Sequence, residues 1–424
     1  MTSTSISPIR HPIDRRVRVP ASKSVANREL LLSALADGAS RVDVGELDPG
    51  DDVRAMRDAL VALGCVVDGG PTGTIGVRGL GRSPAGREAE VNAGQAGTVA
   101  RFVAALAAAL PGRTRLDGDE RMRGRPMASL AKALRELGAT VEGDALPLTI
   151  AGPLRGGRVE VPGHESSQFA SALLLVGARA SEGLELRISG TVVSAPFLDL
   201  TVAVLRERGV TVERLLTPNT FRVRPQHVRA RSVKVPGDAT AASYPAAAAA
   251  ILGGSVMIEN VDPRPRPGAQ GDIRFFDLLE RMGCHVSRHF GHVTVRRRGA
   301  LFGIRENVRD VSDVFPTLAV VAAVADGRSE ILGVGHTRRQ ESDRIAAVAA
   351  GLRALGGQVT EYADGVAIDP APLHGGRVDA AGDHRIAMAF SILGLQVPGV
   401  VVEGSEAVSK TFPGFYDMVR ELGH

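Results

Sequence analysis

The chain has 424 residues, too many for one small core, and its 44% hydrophobic and 23% charged content are those of an ordinary folded protein. The absence of tryptophan and the presence of only three tyrosines argue against a stacking platform for single-stranded nucleic acid, no basic run or zinc-finger spacing points to nucleic acid by another route, and the net charge of +4 fits an anionic partner only weakly. The two cysteines, Cys65 and Cys284, cannot build a disulfide framework or a zinc cluster and read as small buried hydrophobes.

The opening "MTSTSISPIRHPIDRR" has no apolar h-region, so no secretory leader is expected. Nearly apolar stretches such as "YPAAAAAILGG" fall well short of the roughly 20 residues of a membrane span. A cytoplasmic, membrane-free protein is the expectation. The first strand signal is "VRVP" at 17, followed by the polar turn "ASKSVANR" and an apolar helix. "ALVALGCVV" then ends a second helix at Gly64 and opens a strand.

The same succession returns along the chain. Val91 heads "VNAGQAGTVARF", and "ALRELGATV" stops at Gly138. "VEVP" at 159 leads to "ESSQF", and "VLRERGVTV" stops at Gly209. "VKVP" at 233 leads to "GDA", and "LLERMGCHV" stops at Gly283. Val308 heads "VRDVSDVFPTLA", with "GLRALGGQV" stopping at Gly356. Val378 heads "VDAAGDHRIAMA", with "MVRELGH" stopping at Gly423. The stop glycines recur every 67 to 74 residues. Each unit predicts strand, polar turn, helix, strand, loop, helix with a left-handed glycine stop, strand. Six βαβ-containing units make an α/β protein of two domains, three units each, dividing near "VKVPGDA". The polar turns open helices, where free N–H groups and the helix dipole attract anions. An anion-binding cleft is therefore expected from the architecture.

The turns "ASKSVANR", "GQAGTVARF", "RGRP", "ESSQF", "SDVFP", "QESDR", "GDHR" and "SKTFP", in that order, resemble the enolpyruvyl transferase family, and within it the branch that acts on shikimate 3-phosphate. The resemblance runs from about residue 7 to about residue 420. It implies a two-domain inside-out α/β barrel. One discontinuous domain, 1–21 with 236–424, would form mainly the phosphoenolpyruvate side. An inserted domain, 22–235, would form mainly the shikimate 3-phosphate side. The implied enzyme closes over the two substrates, adds the 5-hydroxyl of shikimate 3-phosphate to the enol carbon and expels phosphate. It uses no metal or organic cofactor and is expected to be a monomer.

The resemblance also assigns residues. Lys23, Ser24, Arg28, Ser166, Ser167, Gln168, Ser194, Asp313 and Gln340 would hold shikimate 3-phosphate. Lys23, Gly97, Arg125, Gln168, Arg344, Arg385 and Lys410 would hold phosphoenolpyruvate. Asp313 would be the base and Glu341 the acid, with Lys23 reaching both substrates. The residue types suit the task. Arginine forks match carboxylate and phosphate, and a lysine ammonium serves several oxygens in little space. Two hydroxyls and an amide at a helix start suit a phosphate. Cations gathered in an empty site are expected to repel one another and favour an open form.

Five positions depart from the family pattern. Gln340 stands where a lysine is usual, which removes an ammonium beside the acid–base pair unless Arg338 or Arg339 supplies the charge. Gln95 and His336 stand for asparagines, Phe197 for a tyrosine and Ala21 for a glycine. Most of these touch the acceptor side. Gln340, His336 and Phe197 therefore keep another cyclic alcohol open as acceptor, and the sister branch of the family acting on UDP-N-acetylglucosamine is a separate alternative. Against the latter, the loop "GDERMRGRP" lacks the reactive cysteine of that branch. A non-catalytic anion-binding protein is the remaining alternative, and retention of both Asp313 and Glu341 speaks against it.

Overall fold

The computed structural model describes residues 2–81 and 84–423. The chain divides into two compact units. One takes the chain up to Pro20, Pro236–Arg266 and the chain from Gln270 on; the other takes Ala21–Val235 with Pro267–Ala269. Ala21 and residues 267–269 thus belong to the inserted unit, not to the discontinuous one expected to hold them.

Each unit repeats one motif three times. In a representative copy, strands Gly157–Pro162 and Leu184–Ser189 run parallel, joined by helix Ser167–Gly177. Helix Pro196–Glu207 follows, and strands Val212–Arg214 and Thr220–Val223 return as an antiparallel hairpin on the same sheet. The sequence unit lacked this last strand. "TFRV" is too short to show alternation beside the "TPN" turn, where Asn219 takes φ 53°. Five stop glycines do take left-handed backbone, from φ 80° at Gly209 to φ 100° at Gly283. The sixth, Gly423, is instead the last residue of helix Phe415–Gly423.

The middle of each unit is a group of buried helices. Lys23–Leu35, Gly97–Ala109 and Ser167–Gly177 pack together in one unit; Ala239–Leu252, Phe315–Ala322 and His384–Gly394 do so in the other. Every residue of Gly97–Ala109 is buried. These helices carry Ala, Leu and Val on all sides, so none has a polar stripe for solvent and burial all round is the stable outcome. The sheets lie outside them. In Leu184–Ser189, Leu184, Leu186 and Ile188 point inward while Arg187 is exposed. This inside-out order puts the N-termini of the three central helices close together within each unit. Among the described residues no helix is long and apolar enough to cross a membrane.

Three strands are placed against the sequence order. Strand Ile13–Arg18, which leads into the Lys23 helix, pairs parallel with Gly254–Glu259 of the discontinuous unit. Strand Ser232–Lys234, which leads into the Ala239 helix, pairs with Ala39–Asp43 of the inserted unit. The two strands have therefore exchanged sheets at the points where the chain passes between units. Strand Ser3–Ser5 pairs antiparallel with Val400–Glu403 and completes the sheet of the sixth repeat.

A buried ion pair ties the inserted unit together. Glu29, 1% exposed, accepts from Arg208 Nε at 2.8 Å and Nη2 at 2.6 Å, and Arg208 also donates to Ser33 and Ser40. Arg208→Met leaves a buried carboxylate without its cation and is expected to cost about 3–5 kcal/mol in urea unfolding. Glu29→Leu in the same chain should restore much of that loss; no recovery would show that the pair is not what Arg208 contributes.

Candidate active site

In the inserted unit the site grows from three helix starts. Lys23 is the first residue of its helix, and its ammonium donates to Asp52 at 2.7 Å. Asp52 is buried in the first turn of helix Asp51–Ala62, behind Gly50, whose φ of 93° lets the chain turn there. One turn beyond Lys23, Arg28 is 2% exposed. Its guanidinium donates to Thr201 Oγ1 at 2.8 Å, Ser24 O at 2.7 Å, Ser171 Oγ at 3.3 Å and Phe197 O at 3.2 Å, and it lies near the rings of Phe102 and Phe197. No carboxylate of the described residues pairs with it. Burial pushes its pKa down to about 9, because nothing negative offsets the lost hydration. A cation held in this way stabilises an anion brought beside it.

The second and third starts are cross-linked. Gln168 donates to Thr98 Oγ1 at 3.2 Å and accepts from Arg101 Nη1 at 2.8 Å. Ser166 caps the Ser167 helix by accepting from Gln168 N at 3.2 Å, and Ser167 is buried beside it. Gly97 opens its helix beneath two guanidiniums. A Cβ there would meet Arg101 Nη1 and Arg125 Nη1, each at 2.5 Å. Any side chain at 97 would therefore have to push those two guanidiniums aside. Ser194 sits in the turn before helix Pro196–Glu207 at φ 52°, a left-handed conformation uncommon for serine.

In the discontinuous unit the centre is Arg344, the first residue of helix Arg344–Ala354 and 1% exposed. Its Nε donates to Asp383 Oδ2 at 2.8 Å, its Nη1 to Asp313 Oδ1 at 3.1 Å and its Nη2 to Glu341 Oε2 at 2.8 Å. The Gln340 amide oxygen also accepts from Nη1. Arg385 donates to Asp313 Oδ2 at 2.6 Å, and Lys410 to Glu341 Oε1 at 2.9 Å. Burial disfavours the Arg344 charge, but Asp383, Glu341 and Asp313 more than offset it and raise its pKa above the ordinary value. One guanidinium therefore fixes Asp313 and Glu341 relative to each other. Each of these carboxylates also meets a second cation. Such a pair can take a proton from one atom of a ligand and give one to another.

Two expectations change. The cations are not bare: Lys23 meets Asp52 in the inserted unit, and in the other unit Arg344 and Arg385 meet Asp313 and Lys410 meets Glu341. Neither Arg338 nor Arg339 replaces the lysine absent at 340. Arg338 turns to Asp343 and Glu361, Arg339 is exposed, and the charge beside Asp313 comes from Arg344 and Arg385. His336 lies against Ser312, its Nε2 at 2.9 Å from Oγ, and burial pushes its pKa down to about 4, so it is neutral at physiological pH. Phe197 substitutes ring contact with Arg28 for a hydroxyl. Gln95 is exposed and Ala21 is buried.

The expected residues thus fall into two sets. Lys23, Ser24, Arg28, Gly97, Arg125, Ser166, Ser167, Gln168 and Ser194 lie in the inserted unit; Asp313, Gln340, Glu341, Arg344, Arg385 and Lys410 lie in the other. Sequence reading missed Asp52, Arg101 and Asp383. Arg101 and Asp383 lie inside the motifs "GQAGTVARF" and "GDHR", so their signal was present. Asp52 is 29 residues from Lys23, and no spacing rule joins the two.

The family described as EPSP synthase (3-phosphoshikimate 1-carboxyvinyltransferase) matches residues 8–419. The 3-phosphoshikimate 1-carboxyvinyltransferase of Methanosphaerula palustris is 40% identical over 420 residues, covering 97% of each chain. That of Thermococcus kodakarensis is 40% identical over 415 residues, covering 97% of this chain and 98% of the relative. Among solved structures, the EPSP synthase of Acinetobacter baumannii superposes with a TM-score of 0.81 at 28% identity, covering 99% of this chain and 98% of its own. The enolpyruvyl transferase NikO of Streptomyces tendae shares the fold, with a TM-score of 0.75 at 19% identity over 99% of this chain and 96% of its own.

Proposed function

We propose, from the premise that the chain belongs to the EPSP synthase family, that it transfers the enolpyruvyl group of phosphoenolpyruvate to the 5-hydroxyl of shikimate 3-phosphate and releases phosphate. The observation that carries the reading is Arg344, which holds the two carboxylates the reaction needs in one fork. Asp313 takes the proton of the 5-hydroxyl as its oxygen bonds to the enol carbon. Glu341 delivers a proton to the methylene carbon, which becomes a methyl group. In the elimination a methyl proton returns to Glu341, the carbon–oxygen bond to phosphate breaks, and the proton held by Asp313 leaves with the phosphate. Arg344 and Lys410 stabilise the charge that develops between these steps.

Arg28, Ser24, Ser166, Ser167, Gln168 and Ser194 hold the acceptor's carboxylate and phosphate, with Gln340 near its hydroxyls. Lys23, Arg125, Arg344, Arg385 and Lys410 hold the donor, with Gln168 and the Gly97 backbone. The donor must displace or share the carboxylates that meet Lys23, Arg344, Arg385 and Lys410. We place the enzyme in the cytoplasm as a monomer. The sister reaction on UDP-N-acetylglucosamine is disfavoured because both cysteines are buried, and burial pushes their thiols up to about 12 at Cys65 and about 11 at Cys284, far from a reactive thiolate.

Phosphate release measured with phosphoenolpyruvate and each acceptor tests the reading. Turnover with shikimate 3-phosphate alone is expected; turnover only with another acceptor would overturn it. Gly97→Ala tests the donor site separately. The added methyl must push Arg101 and Arg125 aside, so the KM for phosphoenolpyruvate is expected to rise about tenfold or more, the scale of one misplaced ligand group. The KM for shikimate 3-phosphate should change far less.

A further inference from the structure

Arg101, to which the reaction above gives no role, lies one turn into helix Gly97–Ala109 and is 3% exposed. Its Nη1 donates to Gln168 Oε1 at 2.8 Å and its Nη2 to the carbonyl of Pro126 at 3.2 Å. Its Cζ lies 5.5 Å from the centre of the ring of Phe169, the residue after Gln168. The same Nη1 covers the backbone of Gly97, where an added Cβ would meet it. One buried guanidinium therefore touches the Gly97 helix start, the loop that carries Arg125 and the start of helix Ser167–Gly177. All three belong to the inserted unit, and all three carry residues of the proposed donor site.

The chemistry of these contacts decides how Gln168 faces a ligand. A glutamine side chain ends in an acceptor oxygen and a donor NH2, and the amide can turn end for end about its last torsion. The Thr98 hydroxyl, its other side-chain partner, can donate or accept and so fits either orientation. A guanidinium only donates. Arg101 therefore admits the amide oxygen alone. The amide nitrogen is turned to Thr98 Oγ1 at 3.2 Å, and its second hydrogen is the one a ligand oxygen can take. We propose that Arg101 is a positioning residue for Gln168, fixing its amide so that an N–H, not a carbonyl oxygen, meets the substrate anions. Without Arg101 the amide can present its oxygen, and an acceptor aimed at a phosphate or carboxylate repels it. The Pro126 bond extends the same hold to the Arg125 loop, so one planar fork keeps that loop and Gln168 in a fixed relation.

This inference rests on the proposed substrate site, and the test separates the two. Steady-state kinetics against phosphoenolpyruvate and shikimate 3-phosphate is measured for the unaltered enzyme, Arg101→Met, Gln168→Ala and the double variant. Arg101→Met is expected to raise both KM values about tenfold, the scale of one misdirected hydrogen bond to a charged group. Its kcat should change by less than about threefold, because the amide meets the anions alike in the ground state and the transition state. A merely structural role would instead reduce the fraction of active enzyme, lowering kcat and leaving both KM values in place. With Gln168→Ala there is no amide left to orient, so adding Arg101→Met should raise KM by only about twofold more, the non-additivity of residues that act through one another. If Arg101→Met does not fold, Arg101→Gln, which leaves a polar group for the Pro126 carbonyl, is carried through the same cycle and decides. KM values that stay level in the Arg101 variant of an active enzyme, or a rise undiminished in the Gln168→Ala background, overturn the proposal alone. An unaltered enzyme that releases no phosphate from the two substrates overturns the functional reading and this inference with it.

Discussion

Asp313→Asn is expected to lower kcat by about 10²–10⁴-fold, the range for loss of a positioned general base, while KM for both substrates stays level or falls. The split follows from the geometry. Asp313 accepts from Arg344 at 3.1 Å and from Arg385 at 2.6 Å. An asparagine of the same shape can still accept through one oxygen, but it no longer neutralises either guanidinium. The two cations are then more available to substrate anions, so binding does not suffer when proton transfer does. Glu341→Gln should show the same kcat loss. It also frees Lys410, whose ammonium Glu341 holds at 2.9 Å. Steady-state kinetics against each substrate checks both variants. A variant with kcat intact and KM raised would remove Asp313 from the chemistry and leave it as a binding group.

Arg344→Met should damage stability and activity together. The guanidinium is 1% exposed and meets Asp383, itself fully buried, along with Asp313 and Glu341. Without it, three carboxylates share a desolvated corner with fewer cations. Breaking a buried pair in this way costs about 3–5 kcal/mol, visible as a lower urea midpoint. Activity should fall by about 10²–10³-fold, the usual effect of losing one donor to a developing charge. Arg344→Lys is the discriminating variant. A lysine ammonium keeps the charge but is a single point, and it cannot span Asp383, Asp313 and Glu341 as the planar fork does. It should recover much of the stability and little of the activity. Equal recovery of both would mean that charge alone, not the fork, is what the position supplies.

Much of this was legible in the residues. The polar turns were readable as helix starts because a helix needs a cap and an anion prefers its N-terminus. Lys23, Gly97, Ser166 and Arg385 all lie within the first two residues of a helix or at its cap. The role of Gln340 was legible only in part. The sequence showed a missing ammonium, and the structure shows that Arg344 and Arg385 bring the positive charge to Asp313, with Gln340 accepting from Arg344. Asp52 was not legible at all, since acidic residues at helix starts are common and its partner Lys23 lies 29 residues away in the chain.

Periodicity and turn chemistry by themselves determined the six repeats, the left-handed stops at Gly64, Gly138, Gly209, Gly283 and Gly356, and the apolar helices that must be buried on every side. These are local properties, set within a few residues by sterics and by the lack of a polar face. Only the tertiary structure decided that strands Ile13–Arg18 and Ser232–Lys234 exchange sheets, that Ser3–Ser5 closes the sixth sheet, and that Arg344 joins Asp313 to Glu341. Strand pairing and ion pairing act between atoms adjacent in space, and nothing in a local window records which distant segment will be the neighbour.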